Sequence, residues 1–380
     1  MTNKRVFIIA GEASGDLLGA GLMKELKNLL PRAEFAGVGG EEMARAGLKS
    51  LFNIRDIAVM GIFEVLSHLR LIRRRLAETI LAAKAFRPDV IITIDSPGFT
   101  GRVARALKGV APLVHYVAPS VWAYREGRAK KLAKTHDMLL CFFEFERPYF
   151  EKYGLKTIAV GHPLGAEIKP VRAAHKGKRV VMLAGSRRSF AERLLPIYKK
   201  VAERFEGAKF VLPAASTNAD QIRAGAKGWA EVAEGKAARY RAYARADAAV
   251  AISGTGALEL ALSGVPTVVV YKAAPLTFFI GRLLLKIKNV SLPNIILGRE
   301  MARELLQGAA TADAIARELS TLLGDKRARV RFSKDSAELR GLLARRENPS
   351  GAAAKAVAKL LSGRYNPCES GDKCRRGRKN

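Results

Sequence analysis

One recurring unit constrains this fold more than any other feature: a short apolar run, then a glycine, serine or carboxylate, then a helical segment. Residues 5–10 are the first apolar run, and residues 17–30 have helical spacing. Further runs lie at residues 89–94, 113–117, 138–143 and 157–160, and the series restarts at 179–183, 209–212, 248–252 and 267–271. Strands that alternate with helices predict parallel sheets with helices on both faces.

The length of 380 residues and a break in this series predict two domains. The break is a polar, basic stretch at residues 169–179. We therefore expect an N-terminal Rossmann-like domain over residues 1–168 and a second Rossmann-like domain over 169–335. Helices over 336–362 are expected to pack back toward the first domain, and the basic tail 363–380 to be disordered. The predicted class is α/β, with two tandem doubly wound parallel sheets facing a ligand-binding cleft.

The composition limits the partner and the compartment. The net charge of +31 predicts attraction to an anion, and nucleic acid, a phosphorylated substrate and an acidic lipid surface all stay open. The three cysteines form neither a disulfide framework nor a CxxC metal site, as expected in a reducing cytoplasm. Because no signal-peptide core and no apolar run of about 20 residues is visible, we expect a protein that is soluble or lies on a surface.

Two loops of the second domain have the residues of an anion site. Gly185-Ser186-Arg187 follows a strand, and its arginine offers a forked cation for phosphate. Ser253-Gly254-Thr255-Gly256 follows another strand and begins a helix whose free N–H groups favour a diphosphate. Glu259, one turn later, can accept hydrogen bonds from a ribose. The alternative is a pair of ordinary tight turns, with Glu259 complementing the helix dipole.

Carboxylates and hydroxyls follow the strand ends of the first domain. Asp95 ends a buried strand, so we predict that it is a general base at the cleft edge. Its alternative is an aspartate that starts a turn and is satisfied by local N–H groups. The candidate cleft contacts, which could hydrogen-bond or closely approach a sugar, are Glu12, Ser14, Gly15, Asp16 and Ser120. For Asp16 the alternative is a cap on the helix that follows.

The sequence lacks the motifs of several classes of enzyme. There is no GxxxxGK[ST] loop, no complete GxGxxG and no GxSxG elbow, which counts against ATPases, dinucleotide enzymes and serine hydrolases. No DxD pair offers a clamp for a divalent metal, so we expect no metal. Helix N-termini and arginine would then stabilise the charge on a leaving group.

Two apolar stretches, residues 60–80 and 276–287, carry basic residues at helical intervals. Such segments can lie in the interface of an anionic bilayer, and the net charge together with Phe278-Phe279-Ile280 favours this interpretation. The alternative is that both stretches pack against a domain core.

A set of motifs occurs in a characteristic order. The motifs are Gly11-Glu12-Ala13-Ser14-Gly15-Asp16, Ala58-Val59-Met60-Gly61, Asp95-Ser96-Pro97, His115-Tyr116-Val117-Ala118-Pro119-Ser120-Val121-Trp122-Ala123, Gly185-Ser186-Arg187, Ser253-Gly254-Thr255 with Leu258-Glu259, and Val290-Ser291-Leu292-Pro293-Asn294. Together they resemble the lipid-A-disaccharide synthase family over residues 5 to about 310, with compatible helices to about residue 360.

The resemblance implies the two-domain GT-B glycosyltransferase fold and an inverting transfer that needs no metal or cofactor. The substrates would be UDP-2,3-diacylglucosamine and 2,3-diacylglucosamine 1-phosphate (lipid X), and the products UDP and the lipid A disaccharide 1-phosphate. The first domain would bind the acceptor at the cleft contacts named above, and the second domain would bind the UDP-sugar. Asp95 would take the proton from the acceptor's 6-hydroxyl. The nucleotide would be held by Gly185, Ser186, Arg187, the loop 253–256, Glu259, Asn294 and Gln307. Diacylated substrates imply a peripheral enzyme on the cytoplasmic face of the inner membrane, with the two apolar-basic stretches against the anionic surface.

The sequence departs from the family pattern beside the presumed base. Gly98-Phe99-Thr100 stands where Asp-Phe-Asn is usual, which removes a carboxylate and an amide, and Ala184 stands where proline is usual.

Two alternative functions remain. One is a nonhydrolysing UDP-sugar epimerase of similar fold, which would need no lipid. The other is a nucleic-acid-binding protein, although we expect no nucleic-acid partner because no RRM, KH or zinc-finger pattern is present. Nothing in the sequence indicates the oligomeric state.

Overall fold

A computed structural model describes residues 3–57, 68–122, 126–168, 170, 178–215, 217–273, 289–343 and 348–363. The motif at residues 58–61, the first part of the stretch 60–80, the whole stretch 276–287 and the tail from residue 364 lie outside the described residues.

The chain divides into two compact units. Unit 1 consists of Met1–Gly161 and Arg346–Asn380, and unit 2 of His162–Arg345. This division precedes the predicted boundary between residues 168 and 169. Residues 169 and 171–177 of the predicted linker lie outside the described residues, so the linker stays a prediction.

Unit 1 is built on a six-stranded sheet of order β2-β1-β3-β4-β5-β6, in which every pair is parallel. Its strands are β1 Arg5–Ala10, β2 Glu34–Val38, β3 Val90–Ile94, β4 Leu113–Tyr116, β5 Met138–Cys141 and β6 Lys156–Ala159. Its helices are α1 Ala13–Leu29, α2 Glu41–Arg45, α3 Leu69–Phe86, α4 Thr100–Ala106, α5 Gly127–Ala133 and α6 Arg147–Glu151, with α15 Pro349–Leu361 at the end of the chain.

Unit 2 repeats this architecture, with a parallel sheet of order β12-β11-β10-β7-β8-β9. Its strands are β7 Arg179–Leu183, β8 Lys209–Ala214, β9 Glu231–Glu234, β10 Ala248–Ile252, β11 Thr267–Tyr271 and β12 Glu304–Leu306. Its helices are α7 Pro163–Glu167, α8 Arg188–Ala202, α9 Ala219–Ala226, α10 Gly235–Ala244, α11 Thr255–Ser263, α12 Leu292–Leu297, α13 Ala312–Gly324 and α14 Lys326–Leu343. The predicted α/β class with two doubly wound parallel sheets is confirmed.

Each sheet is buried on both faces, which is why its central strands are continuous apolar runs. In β1 the side chains of Val6 and Ile8 enter one core and those of Phe7 and Ile9 enter another, since successive residues of a strand point to opposite faces. Chain order reverses direction across the sheet at the β1/β3 pair in unit 1 and at the β7/β10 pair in unit 2. Ligands of doubly wound sheets bind at such switch points, beyond the carboxyl ends of the strands.

The last two helices belong to different units. In α14, Ser336 Oγ donates to Ala261 O at 2.6 Å and Arg340 Nη1 to Leu262 O at 2.9 Å, so residues 336–343 pack within unit 2. This differs from the prediction that the chain from residue 336 packs toward the first domain. By contrast, α15 packs on α1 in unit 1 and buries Ala353, Ala354 and Val357.

One face of the described part of the stretch 60–80 packs against a domain core, which was the alternative to membrane contact. Ile72, Leu76 and Ile80 of α3 pack against the core of unit 1. Arg70 and Arg73 on the same helix are exposed to solvent. None of the helices in the described ranges is both long enough and apolar enough to cross a bilayer.

Candidate functional site

The loop after β7 lies close to the end of β10 at the switch point of unit 2. Gly185 has a φ of +85°, and a Cβ at this position would lie 3.0 Å from Ile252 Cγ2. Only glycine combines this left-handed backbone with such a close approach. Ser186 and Arg187 follow with exposed side chains, and Arg187 is the N-cap residue of α8.

The loop after β10 starts a buried helix at the same point. Ser253 Oγ donates to Val290 O at 2.7 Å, and Gly254, with a φ of 153°, is the N-cap of α11. No side chain caps this helix, so its first N–H groups are available to an anion. The partial positive charge of the helix start favours the same ligand.

These two loops form one cavity of about 430 Å³. Its lining includes eight residues of the predicted nucleotide site, namely Gly185, Ser186, Arg187, Ser253, Gly254, Thr255, Gly256 and Glu259. The sequence placed these residues in two separate loops, and the β7/β10 pairing brings the loops together. Phe190, Pro213, Ala214, Arg239 and Tyr243 also line the cavity.

Glu259 is a buried carboxylate in the cavity wall, only 6% exposed. Its Oε1 accepts a hydrogen bond from Arg239 Nη2 at 3.1 Å, and its Oε2 accepts one from the Tyr243 hydroxyl at 3.1 Å. Desolvation raises the pKa of Glu259, while the positive charge of Arg239 opposes that shift. Both partners come from α10, so this helix holds the carboxylate in place.

Arg239 and Tyr243 were not among the predicted site residues. They are four residues apart on a helix, which places them on one face, and this spacing was the available signal. Their target, Glu259, lies on the next helix, and local spacing cannot identify a partner at that separation.

Asn294 and Gln307 are not part of this cavity lining. Asn294 is fully buried: its Nδ2 donates to Ala302 O and Glu304 Oε1, and its Oδ1 accepts from Met301 N and Ala302 N. Gln307 exchanges hydrogen bonds with the backbone of Ala273. Both side chains hold loops of unit 2 together, and the nucleotide contacts predicted for them stay a prediction.

In unit 1 Asp95 lies in a strained turn at the end of β3. Its φ is 49° and that of Ser96 is 46°, a left-handed conformation that costs non-glycine residues energy and is often found at functional sites. The Thr100 hydroxyl donates to Asp95 O at 2.7 Å and to Ser96 O at 3.0 Å, which braces the turn.

The half-buried side chain of Asp95 is only partly satisfied by the protein. Its Oδ1 accepts from Ser96 N at 2.7 Å, as the turn interpretation requires. Across the described residues, no donor lies within hydrogen-bond distance of its Oδ2. One oxygen of Asp95 is therefore left for a ligand.

Glu12 lies beside Asp95 at the β1/β3 switch point. A Cβ on Gly11 would lie 2.3 Å from Ser96 Cβ, so glycine is required for the two loops to meet. Burial and the negative charge of Asp95 together raise the pKa of Glu12. Of the other predicted contacts, Ser14 and Ser120 are exposed, and Gly15 is buried against Ile94.

Asp16 differs from its predicted role as an acceptor contact. It is 5% exposed, and its carboxylate accepts from Gly40 N at 2.7 Å, Glu42 N at 2.9 Å and Met43 N at 3.1 Å. These N–H groups belong to the start of α2, so Asp16 caps a helix other than its own.

In the parts of the chain that the structure describes, no three His, Cys, Asp or Glu side chains are grouped as metal ligands.

The chain is similar to known proteins over most of its length. The family model described as lipid-A-disaccharide synthetase matches residues 6–358. The lipid-A-disaccharide synthase of Paramagnetospirillum magneticum is 42% identical over 348 residues, which cover 86% of this chain and 89% of that protein. That of Rhodospirillum centenum is 38% identical over 384 residues, covering 94% and 95%.

Solved structures are similar in fold. MurG from Acinetobacter baumannii has a TM-score of 0.58 at 14% identity, covering 94% of this chain and all of that one. The UDP-GlcNAc 2-epimerase of Neisseria meningitidis, bound to UDP-GlcNAc, has a TM-score of 0.62 at 12% identity, covering 94% and 100%. At such low identity these structures confirm the predicted GT-B fold and carry no further conclusion.

The capping role of Asp16 can be tested by its effect on stability. Asp16→Ala is expected to lower the free energy of unfolding by about 1–3 kcal/mol, because buried N–H groups lose their acceptor. Ser14→Ala, an exposed change on the same helix, is the control and should leave stability close to wild type. Urea denaturation followed by circular dichroism measures both. An Asp16→Ala variant as stable as wild type would contradict the capping role.

Proposed function

The chain belongs to the lipid-A-disaccharide synthase family, and we infer how this glycosyltransferase forms the lipid A disaccharide. The donor is UDP-2,3-diacylglucosamine and the acceptor is 2,3-diacylglucosamine 1-phosphate (lipid X). The acceptor's 6-oxygen attacks the donor's anomeric carbon from the face opposite UDP, with inversion, and UDP leaves. The observation that carries the assignment of residues is the cavity at the β7/β10 switch point, where both glycine-rich loops and Glu259 meet.

The cavity supplies what the UDP leaving group needs. The bond from the anomeric carbon to the diphosphate breaks with both electrons going to the diphosphate oxygen. The uncapped start of α11 and the guanidinium of Arg187 stabilise that charge. Glu259, held by Arg239 and Tyr243, accepts hydrogen bonds from the ribose hydroxyls.

Asp95 is the general base of the proposed mechanism. Its Oδ2 takes the proton from the 6-hydroxyl as that oxygen forms the new glycosidic bond. The strained turn fixes the direction of the carboxylate, and Thr100, one of the departures from the family pattern, braces that turn. Glu12, Ser14 and Ser120 provide polar groups for the acceptor sugar near the same sheet edge.

The two alternatives receive less support. The similarity to UDP-GlcNAc 2-epimerases is one of fold, whereas the similarity to lipid-A-disaccharide synthases extends over most of the sequence at about 40% identity. A nucleic-acid-binding role has no comparable support, and phosphorylated and lipid-borne substrates account for the positive charge.

The proposal includes a location at the cytoplasmic face of the inner membrane. The substrates carry acyl chains, which remain partly in the bilayer while the sugars react. The exposed arginines of α3 and the net charge of +31 favour an anionic membrane surface. The stretches 60–80 and 276–287 are the proposed contacts.

The transfer reaction is tested with purified protein in neutral detergent micelles that contain UDP-2,3-diacylglucosamine, lipid X or both. We expect the disaccharide 1-phosphate and UDP to form only when both substrates are present, as measured by mass spectrometry. An epimerase would change the donor without any acceptor. Absence of the disaccharide in the complete mixture would contradict the proposed function.

The role of Asp95 is tested by Asp95→Asn. This change is expected to lower kcat by about 10²- to 10⁴-fold, the usual contribution of a general base, because an amide cannot take the proton. The affinity for UDP, measured by calorimetry, should stay close to wild type. Asp89→Asn, at the other end of β3, is the control and should keep its kcat. Normal turnover by Asp95→Asn would remove Asp95 from the base role.

Arg187 and Arg188 form a matched pair for the donor site. Arg187→Ala is expected to weaken UDP binding about 10- to 100-fold, the loss of about 1.5–3 kcal/mol from charge-assisted hydrogen bonds. Arg188 is also exposed and lies next to Arg187, but it does not line the cavity, so Arg188→Ala should have a much smaller effect. Calorimetry with UDP measures both. Equal losses would indicate a general effect of charge and argue against a specific contact of Arg187.

A further inference from the structure

A second cavity, of about 720 Å³, lies in unit 1 and has no place in the mechanism above. It runs between α4 and α5, over β4. Its lining residues are Pro97, Gly98, Gly101, Arg105, Lys108, His115, Pro119, Arg128, Lys131, Leu132, Lys134, Thr135 and His136. We call it the α4–α5 groove.

The groove has an unbalanced charge. Five of its lining residues are lysines or arginines, and none is an aspartate or glutamate. Over the described ranges, Arg105, Lys108, Lys131 and Lys134 form no salt bridge. Cations that share a concave surface without carboxylates repel one another and raise the local concentration of anions. The groove is therefore built to receive negative charge.

The floor of the groove is uncharged. His115 and His136 contact the hydroxyl of Thr93, at 2.8 Å and 3.2 Å. Burial lowers the pKa of His115 to about 3 and that of His136 to about 4, so both imidazoles are neutral at physiological pH. The arginines and lysines of the rim, on flexible side chains, carry all of the positive charge.

One end of the groove opens beside the proposed base. Pro97 and Gly98 continue the turn of Asp95, and Pro119 precedes Ser120. Both helices start at this edge, since α4 follows β3 and α5 follows β4. Helical side chains lean toward the helix N-terminus, which directs those of Arg105 and Lys131 toward the Asp95 end.

We propose that the α4–α5 groove binds the phosphate monoester of the lipid acceptor. This inference rests on the proposed function, because it assigns the part of the acceptor that Asp95 does not contact. In a glucosamine 1-phosphate, C1 and C5 are both bonded to the ring oxygen, so the 1-phosphate and the 6-hydroxyl lie within one sugar of each other. When the 6-hydroxyl is at Asp95, the phosphate lies no more than one sugar away, at the end of the groove toward which the side chains of Arg105 and Lys131 lean. The prolines, glycines and Leu132 provide apolar surface beside the cations, as suits a phosphate carried on an acylated sugar.

The test compares two double variants that remove the same charge. R105A/K131A removes two groove cations, whereas R102A/K130A removes two exposed cations on the same helices that do not line the groove. Each is assayed in neutral micelles with lipid X and with 2,3-diacylglucosamine that lacks the phosphate. We expect R105A/K131A to raise the KM for lipid X by about tenfold or more, because charge-assisted hydrogen bonds to phosphate are lost. Its kcat and UDP affinity should stay close to wild type.

The dephosphorylated acceptor identifies the ligand. With this acceptor, R105A/K131A and wild type should have the same KM, and R102A/K130A should resemble wild type with both acceptors. A wild-type KM of R105A/K131A for lipid X, in a protein that does form the disaccharide, would overturn the inference and leave the proposed function intact. If R105A/K131A instead loses activity only on anionic vesicles, and equally with both acceptors, the groove binds bilayer headgroups and the inference is wrong. Circular dichroism of each variant establishes that it is folded.

Discussion

The parallel direction of every strand within each sheet is the constraint on which the rest of this structure depends. Parallel strands place all their carboxyl ends, and the starts of the helices that follow, at the same edge. At the β1/β3 and β7/β10 pairs the helices that follow the two strands pack on opposite faces of the sheet, which leaves a crevice at the strand ends. The cavity that we propose for the nucleotide lies at one switch point, and Asp95 with Glu12 lies at the other. Glycines at positions 11 and 185 allow the loops to approach there.

Three carboxylates of this protein have different roles because their burial and their hydrogen-bond donors differ. Asp16 accepts hydrogen bonds from three backbone N–H groups at the start of another helix, so its role is structural. Glu259 is equally buried but retains its place in a cavity wall, because its partners are side chains of α10. Asp95 gives one oxygen to its own turn and keeps the other for a ligand. A carboxylate whose donors are incomplete within the protein is the one able to accept a substrate proton.

The positive charge of the chain is unevenly distributed, because some cations are paired with carboxylates and others are not. Many arginines are paired with nearby carboxylates, as Arg75 is with Asp56 and Glu78, and these pairs add little to long-range attraction. The groove between α4 and α5 brings five cations together next to the turn that carries the proposed base, and four of them, Arg105, Lys108, Lys131 and Lys134, form no salt bridge within the described residues. A lipid phosphate and a UDP leaving group are both anions, which gives a physical reason for a basic transferase with acidic substrates.

The sequence by itself determined the central strands, the class of fold and the loops that bear the site. Strands buried on both faces must be apolar throughout, so β1, β3, β7 and β10 were visible as runs that end in glycine and polar residues. It did not reveal β2, β9 and β12, three of the four edge strands, because their residues are partly exposed and burial imposes less of a pattern there; β6, the fourth edge strand, was visible as residues 157–160. Only the tertiary structure decided that Asp16 caps α2, that Asn294 fastens a loop, that Arg239 and Tyr243 hold Glu259, and that five cations share one groove. The physical reason is that hydrogen bonds, desolvation and charge depend on neighbours in space, which short-range spacing along a chain does not specify.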